Sequence, residues 1–255
     1  MPSGPVAYPR RVPDAEEQAR AIEAELARRG TPERAAGEKK YLKSDMRFLG
    51  ATLADIRRVA KEVSTDARSD RIATIALVEE LWREPVFERR MAAVLILQLA
   101  AQTLGSDELG LIERLIRGSR TWALVDVLSG DVVGEMALRL RIRRTLDRWA
   151  RDGDFWVRRS SLLAELKPLR EGAPFEPFAH RADAMLEETE FFIRKAIGWV
   201  LRETSKRRPD EVFAWIAPRT DRASGVTMRE AVKYLDQRRA DQLMRAYREG
   251  RPAVG

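Results

Sequence analysis

Several segments of this sequence are variations on one theme, and that repetition limits the fold more than any other feature. A basic pair follows an apolar or aromatic start and precedes small or apolar residues in FERRMAAVLIL from 87, WVRRSSLLAEL from 156 and FIRKAIGWVL from 192. Arg57–Arg58 and, with an acid in second place, Arg229–Glu230 of TMREAVKYL repeat the arrangement. The second members lie at 58, 90, 159, 195 and 230, so the separations are 32, 69, 36 and 35. The 69 is two steps, which puts a missing copy near 125, where TWALVDVLSGD places Asp126 in the slot. A period near 35 residues is that of paired helices stacked side by side, each pair too small to bury its own apolar face. The expected architecture is therefore all-α: a HEAT-like repeat α-solenoid, curved, with a basic concave cleft.

Local spacing agrees with the period. Apolar residues recur three or four apart, as in Ile22–Leu26, Ile56–Val59–Val63 and Leu111–Leu115, with no sustained alternation. Breaks at Gly30–Pro32, Gly50, Pro85, Gly105–Ser106, Gly118, Gly153, Gly172–Pro174, Pro209, Pro218 and Gly225 leave room for short helices and tight turns. Asp107, Asp154, Thr189 and Thr227 stand where N-caps or first-turn residues belong. Residues 1–13, with four prolines, read as a flexible arm, 14–248 as the solenoid domain, and 249–255 as a flexible tail. No stretch resembles a membrane span or a secretory leader, so the expectation is a soluble, cytoplasmic protein with no membrane partner.

The chemical inventory is narrow. There is no Cys and one His, His180, among 255 residues. That removes disulfides, thiolate metal sites and cysteine nucleophiles, and argues against multi-His metal sites and a His-based triad. His180, near a helix start, reads as a surface or capping residue. Neither a metal nor a cofactor is expected. The 47 basic residues exceed the 40 acidic ones by +7. Residues 139–170 net +6 and 191–208 net +5, so the remainder nets −4. A positive field concentrated in this way suits a polyanion, and nucleic acid is the first candidate. The run RLRIRR at 139–144 is either a phosphate-facing edge or a solvated helix face. Arg207–Arg208 and Arg10–Arg11 touch backbone phosphates or nothing.

In a solenoid the second helices line one face, so the slot residues Arg58, Arg90, Asp126, Arg159, Lys195 and Glu230 would form a row. Asp126 departs from the row's own rule, and such a departure is a place to look for function. The plain alternative is that it pairs with Arg159 or another Arg. Trp122 lies four residues before Asp126, on the same helix face about 6 Å away. Trp199 lies four after Lys195 and shares that face. Trp82, Trp149 and Trp215 read as core, and Trp156 as packing at a helix start.

These residues carry a resemblance. TWALVDVLSGDVVG, DFWVRRSSLLAEL and FFIRKAIGWVLRETSKRRPDEVFAWI resemble the AlkD branch of the bacterial DNA alkylation repair family. YLKSDMRFLGATLADIRRVAKEV is similar to that family's N-terminal region and SGVTMREAVKYL to its last repeat, so the likeness spans about Ala15 to Gln242. The resemblance implies HEAT-like repeats around duplex DNA and a glycosylase for N3- and N7-alkylated purines that does not flip the base. It places the catalytic carboxylate on Asp126, the two cleft aromatics on Trp122 and Trp199, and the cleft arginine on Arg159. Arg158, Arg194, Lys195, Arg202 and Arg90 join Arg159 as expected DNA contacts.

The inventory suits that reaction. A cationic alkylpurine leaves as a neutral base without a general acid, so one carboxylate beside the oxocarbenium-like sugar can suffice. The expected partner is double-stranded DNA containing alkylated purines, bound by a monomer. With no obvious lysine beside Asp126, a monofunctional glycosylase without lyase activity is expected. One alternative is a self-resistance glycosylase that removes bulky genotoxin–purine adducts in an antibiotic producer. Another is a non-catalytic HEAT-repeat module that binds DNA or protein.

Overall fold

A computed structural model describes residues 14–67 and 71–254; the arm expected over 1–13 lies outside them. All regular structure among the described residues is helical, apart from one isolated bridge between Arg47 and Val86. The expected all-α helical-repeat fold is what the chain adopts. No described helix is long and apolar enough to cross a membrane. The described residues divide into two compact units, 14–41 with 45–67 and 71–96, and 42–44 with 97–254.

The first unit is built from α1 (Ala15–Arg29), α2 (Pro32–Leu42), α3 (Leu53–Ala67), α4 (Arg71–Arg83) and the start of α5 (Phe87–Ala100). Asp14 caps α1 by accepting from the Glu17 amide at 2.7 Å. Ala19, Ile22 and Leu26 then form one buried stripe of α1, which packs against α4 with its buried Leu77, Val78 and Leu81. Glu88 is fully buried and accepts from the Leu49 and Gly50 amides at 2.9 and 2.6 Å, with burial raising its pKa. Gly50 has φ +84°, and a Cβ there would lie 2.1 Å from the Thr31 carbonyl, so only glycine fits this turn.

The second unit continues with α6 (Leu109–Gly118), α7 (Trp122–Val127), α8 (Gly134–Arg139), α9 (Arg143–Trp149), α10 (Phe155–Leu163), α11 (Leu166–Arg170) and α12 (Glu176–Ala184). It ends with α13 (Phe191–Ser205), α14 (Pro209–Ile216), α15 (Gly225–Ala231) and α16 (Gln237–Arg248). A π-helical turn, Leu128–Val133, joins α7 to α8. α7, α10, α13 and α15 pack one on the next as a layer. The segments that precede them are tied to one another by ion pairs: Arg148 to Glu113, Arg117 to Asp152, Arg181 to Asp147 and Arg219 to Asp183. These ties span 34 to 36 residues, which is the repeat period realised as contacts. A continuous apolar core runs beneath, from Leu162 and Leu163 through Phe178, Ile197 and Val200 to Trp215 and Leu243.

Two local details differ from the sequence reading. Glu190, not Thr189, caps α13, because its longer carboxylate reaches the Phe192 amide at 3.2 Å. Thr227 does sit in the first turn of α15, as read, with Ser224 as the cap. Residues 249–254, read as a loose tail, fold back: the Ala253 amide donates to Ala217 at 2.8 Å and the Thr220 hydroxyl to the Arg251 carbonyl at 2.7 Å.

Candidate active site

α7 starts at Trp122, because Thr121 is extended and buried and the chain turns helical only after it. Asp126 lies one turn on. Facing it from α10 is Arg159, whose Nε and Nη2 donate to the two Asp126 carboxylate oxygens at 2.8 and 3.0 Å. The remaining Nη1 donates to the Phe192 carbonyl at the start of α13, 2.5 Å away. One guanidinium thereby joins three successive helices of the layer. The planar fork of arginine suits this double grip on a carboxylate, which an ammonium cannot reproduce.

The pair is asymmetric. The Arg159 side chain is 3% exposed and that of Asp126 is 15% exposed. The cation is sealed in and the acid is the more exposed of the two. Arg159 lies 5.8 Å over the Phe192 ring, which packs on Trp156 with centroids 4.7 Å apart. Trp156 is therefore part of an aromatic floor, as its position at a helix start suggested. One turn after Asp126, the Ser129 hydroxyl bonds the Val125 carbonyl at 2.6 Å and the Ser160 hydroxyl at 2.7 Å. α10 is thus joined by two rungs to α7 and the π-turn that continues it, Asp126–Arg159 and Ser129–Ser160.

The expected DNA contacts are already engaged within the protein. Arg159, read as a phosphate contact, is buried, and its three donor nitrogens bind Asp126 and Phe192; the alternative in which Asp126 pairs with Arg159 is the geometry observed. Arg158 grips Glu188 through two bonds of 2.9 Å and donates to the Asp152 carbonyl. Arg194 donates to the Glu188 carbonyl at 2.6 Å. Lys195 donates to Glu230 at 2.6 Å, and Arg202 binds Glu230 and Glu203. In the first unit, Arg90 stacks 5.0 Å over the half-buried Trp82, and Arg58 pairs with Asp55 at 2.8 Å. Slot residues do meet their neighbours one repeat away, but as pairs of opposite sign: 126 with 159, and 195 with 230.

Trp122 is half-buried, and half-buried Trp199 packs on the edge of the core. Trp149 and Trp215 are buried, as read, and the Trp149 indole N–H donates to Glu113 at 2.7 Å. His180 is exposed. In RLRIRR, Arg139 donates to the Ala101 and Leu104 carbonyls and Arg143 pairs with Glu176. Arg144 lines an open cavity with Asp147, Arg148, Arg151, Asp152 and Gly153.

Sequence reasoning missed Glu188 and the serine rung, and gave Glu230 no role. Glu188 lies 30 residues from Arg158, so the repeat spacing applied to acids as well as cations could have found it. The π-turn left a signal too. Buried residues recur strictly at every fourth position, as Leu124, Leu128, Val132, Met136 and as Val125, Ser129, Val133. A regular α-helix drifts about 40° over such a step, and a wider turn corrects the drift.

The geometry can be compared with known proteins. No curated protein matches the sequence. Among solved structures, a predicted DNA alkylation repair enzyme from Enterococcus faecalis is similar at 24% identity and TM-score 0.74, covering 82% of this chain and 98% of that one. AlkD2 from Streptococcus mutans is similar at 16% identity and TM-score 0.55, covering 88% and 100%. The smu.31 protein of Streptococcus mutans UA159 is similar at 18% and 0.53, covering 71% and 98%. These likenesses show the fold. The DNA alkylation repair enzyme family itself matches residues 22–235, most of the chain, and the chain belongs to that family.

Proposed function

We propose that this chain is a DNA glycosylase that hydrolyses the N-glycosidic bond of cationic N3- or N7-alkylpurines in duplex DNA. The observation that carries the proposal is the asymmetric pair: Asp126 is oriented by a buried arginine while its own side chain stays partly exposed. A buried, two-pronged partner prevents the carboxylate from rotating as charge develops nearby, which is the preorganisation that electrostatic catalysis requires.

The chemistry proceeds without a general acid. The C1′–N bond breaks with its electron pair going to the cationic purine, which leaves neutral. The sugar becomes positive at C1′ and O4′. Asp126 stabilises that charge and orients a water whose oxygen bonds C1′, with the water's proton released. The products are a free base and an abasic site. Trp122, one turn before Asp126, and Trp199 would add cation–π attraction, about 0.5–2 kcal/mol each. Holding the sugar rather than an extruded base makes flipping unnecessary, in contrast to glycosylases that read a base in a pocket.

A second reading, a non-catalytic DNA- or protein-binding helical-repeat module, is favoured by one fact: each expected DNA-contacting cation already has an acceptor or an aromatic partner within the protein. Release of 7-methylguanine and 3-methyladenine from methylated duplex separates the two readings. Asp126→Asn keeps an oxygen for Arg159 but removes the charge. The glycosylase reading requires release by the parent and its collapse in the variant. Release by neither leaves the binding module, and release by both at one rate removes Asp126 from the chemistry.

A further inference from the structure

The slot acid at the end of the repeat row has no part in the chemistry above, yet it is the most heavily engaged carboxylate of the layer. The side chain of Glu230, on α15, is 7% exposed. It accepts from Lys195 at 2.6 Å and Lys233 at 3.2 Å, and also binds Arg202. Burial alone would raise its pKa, but hydrogen bonds from Lys195 and Lys233 and the pull of Arg202 bring it down to about 2. The acid is therefore charged at any working pH.

Two of its partners stand seven residues apart on α13, with Trp199 between them, four after Lys195 and three before Arg202. Glu230 reaches this position because α13 has a glycine facing it. A Cβ at Gly198 would lie 2.8 Å from the Glu230 Cβ and 3.2 Å from the Thr227 Cα. Gly198 allows α15 to approach, Thr227 donates to the Arg194 carbonyl at 3.1 Å, and Glu230 grips α13 on both sides of the indole. A buried acid on a face meant for a polyanion is otherwise a poor choice, since it opposes the phosphates.

We propose that Glu230 is a positioning residue: with Gly198 it clamps Lys195 and Arg202 astride Trp199, fixing the indole-bearing face of α13. This rests on the glycosylase reading for its effect on excision. It makes an uncommon prediction. Removing a negative charge from the DNA-facing layer leaves binding as strong or stronger, yet slows the chemistry. The released cations are free to follow phosphates, while Trp199 loses its fixed placement, and displacements near an ångström are costly to catalysis.

The test uses the full chain and Glu230→Gln, with Gly198→Ala approaching the same clamp from the other helix. Single-turnover release of 7-methylguanine, the Kd for undamaged duplex and the salt dependence of that Kd are measured together. The expected result is a loss of excision of about tenfold in both variants, with Kd unchanged or lower. In Glu230→Gln the salt slope should also steepen by about one, as a cation is freed. Excision at the parental rate overturns the clamp, as does a fall in excision matched by an equal fall in affinity. If Glu230→Gln does not fold at the assay temperature, Glu230→Asp replaces it, keeping the charge on an arm too short to hold both cations. If the parent releases no base, the glycosylase reading fails by itself, and the clamp is judged on the salt slope, where no change overturns it.

Discussion

Two ion clusters in the same helical layer are built from the same parts with opposite polarity. At Asp126 the buried member is the cation, 3% exposed, and the acid faces outward. At Glu230 the buried member is the acid, 7% exposed, while Lys195 and Lys233 are 39% and 50% exposed. Each cluster links neighbouring repeats across 33 or 35 residues. The inversion determines what each presents to solvent. One shows a carboxylate edge suited to a developing cation, and the other shows ammonium groups suited to phosphate. Burying one partner orients the other, so under the proposed function the residue that meets the ligand in each case is the one left outside.

The sharpest way to break this comparison is at Asp126. Asp126→Asn should lower base release by about 100- to 1000-fold, the usual cost of removing one preorganised electrostatic group. Its thermal midpoint should fall as well, because the buried Arg159 loses its counter-charge and one of the two oxygens it grips, so release is compared well below both midpoints. Parental release there would remove Asp126 from the chemistry. Next is the sealed cation. Arg159→Ala leaves Asp126 and the Phe192 carbonyl without their donor and should destabilise the fold by about 3 kcal/mol in chemical denaturation. Its salt slope for duplex binding should not change, because a buried, fully engaged arginine releases no counterion. A flattened slope would return Arg159 to the phosphate contacts.

Acid titration sharpens the comparison from the other side. The folded pKa of Glu230 is depressed to about 2, from an ordinary value of 4.5. Its stabilisation is therefore fully present above pH about 4.5 and is lost as the pH falls toward 2. The gap in thermal midpoint between the parent and Glu230→Gln should shrink over that window; a constant gap would mean the carboxylate's charge does not stabilise the cluster. The smallest effect is expected at the exposed end. Lys195→Ala should cost less than about 1 kcal/mol of stability, because Lys195 is itself 39% exposed and Arg202 and Lys233 still hold Glu230. It should reduce the salt slope for duplex by about one, so the two slopes, Lys195 against Arg159, separate outside from inside.

Much of this was readable in the sequence. The spacing of Leu111–Leu115 and the breaks at Gly118 and Gly153 mark helices because helical periodicity is local. The slot positions 126 and 159, or 195 and 230, proved to be contact partners because a repeat sets neighbours one period apart. The candidate residues Asp126, Trp122 and Trp199 stood out by register alone. Other features left no local trace. Asp126 and Arg159 are equally polar in sequence, and only the Phe192 carbonyl and the aromatic floor decide that the arginine is the one enclosed. The row of cations was read without its acids, so Arg158, Lys195 and Arg202 looked free for DNA until Glu188 and Glu230 were seen against them. The tail looked loose because the Ala217 carbonyl that holds it lies 36 residues away.

The division has a physical cause. Period and propensity act within a few residues, so the sequence by itself determines that this chain is helical, repetitive and short of every catalyst except carboxylates, arginines, lysines, hydroxyls and indoles. Burial and the choice of partner act across 30 or more residues. Tertiary structure alone decides which member of each ion pair is sealed, which faces solvent, and that Gly198 admits Glu230 beside Trp199.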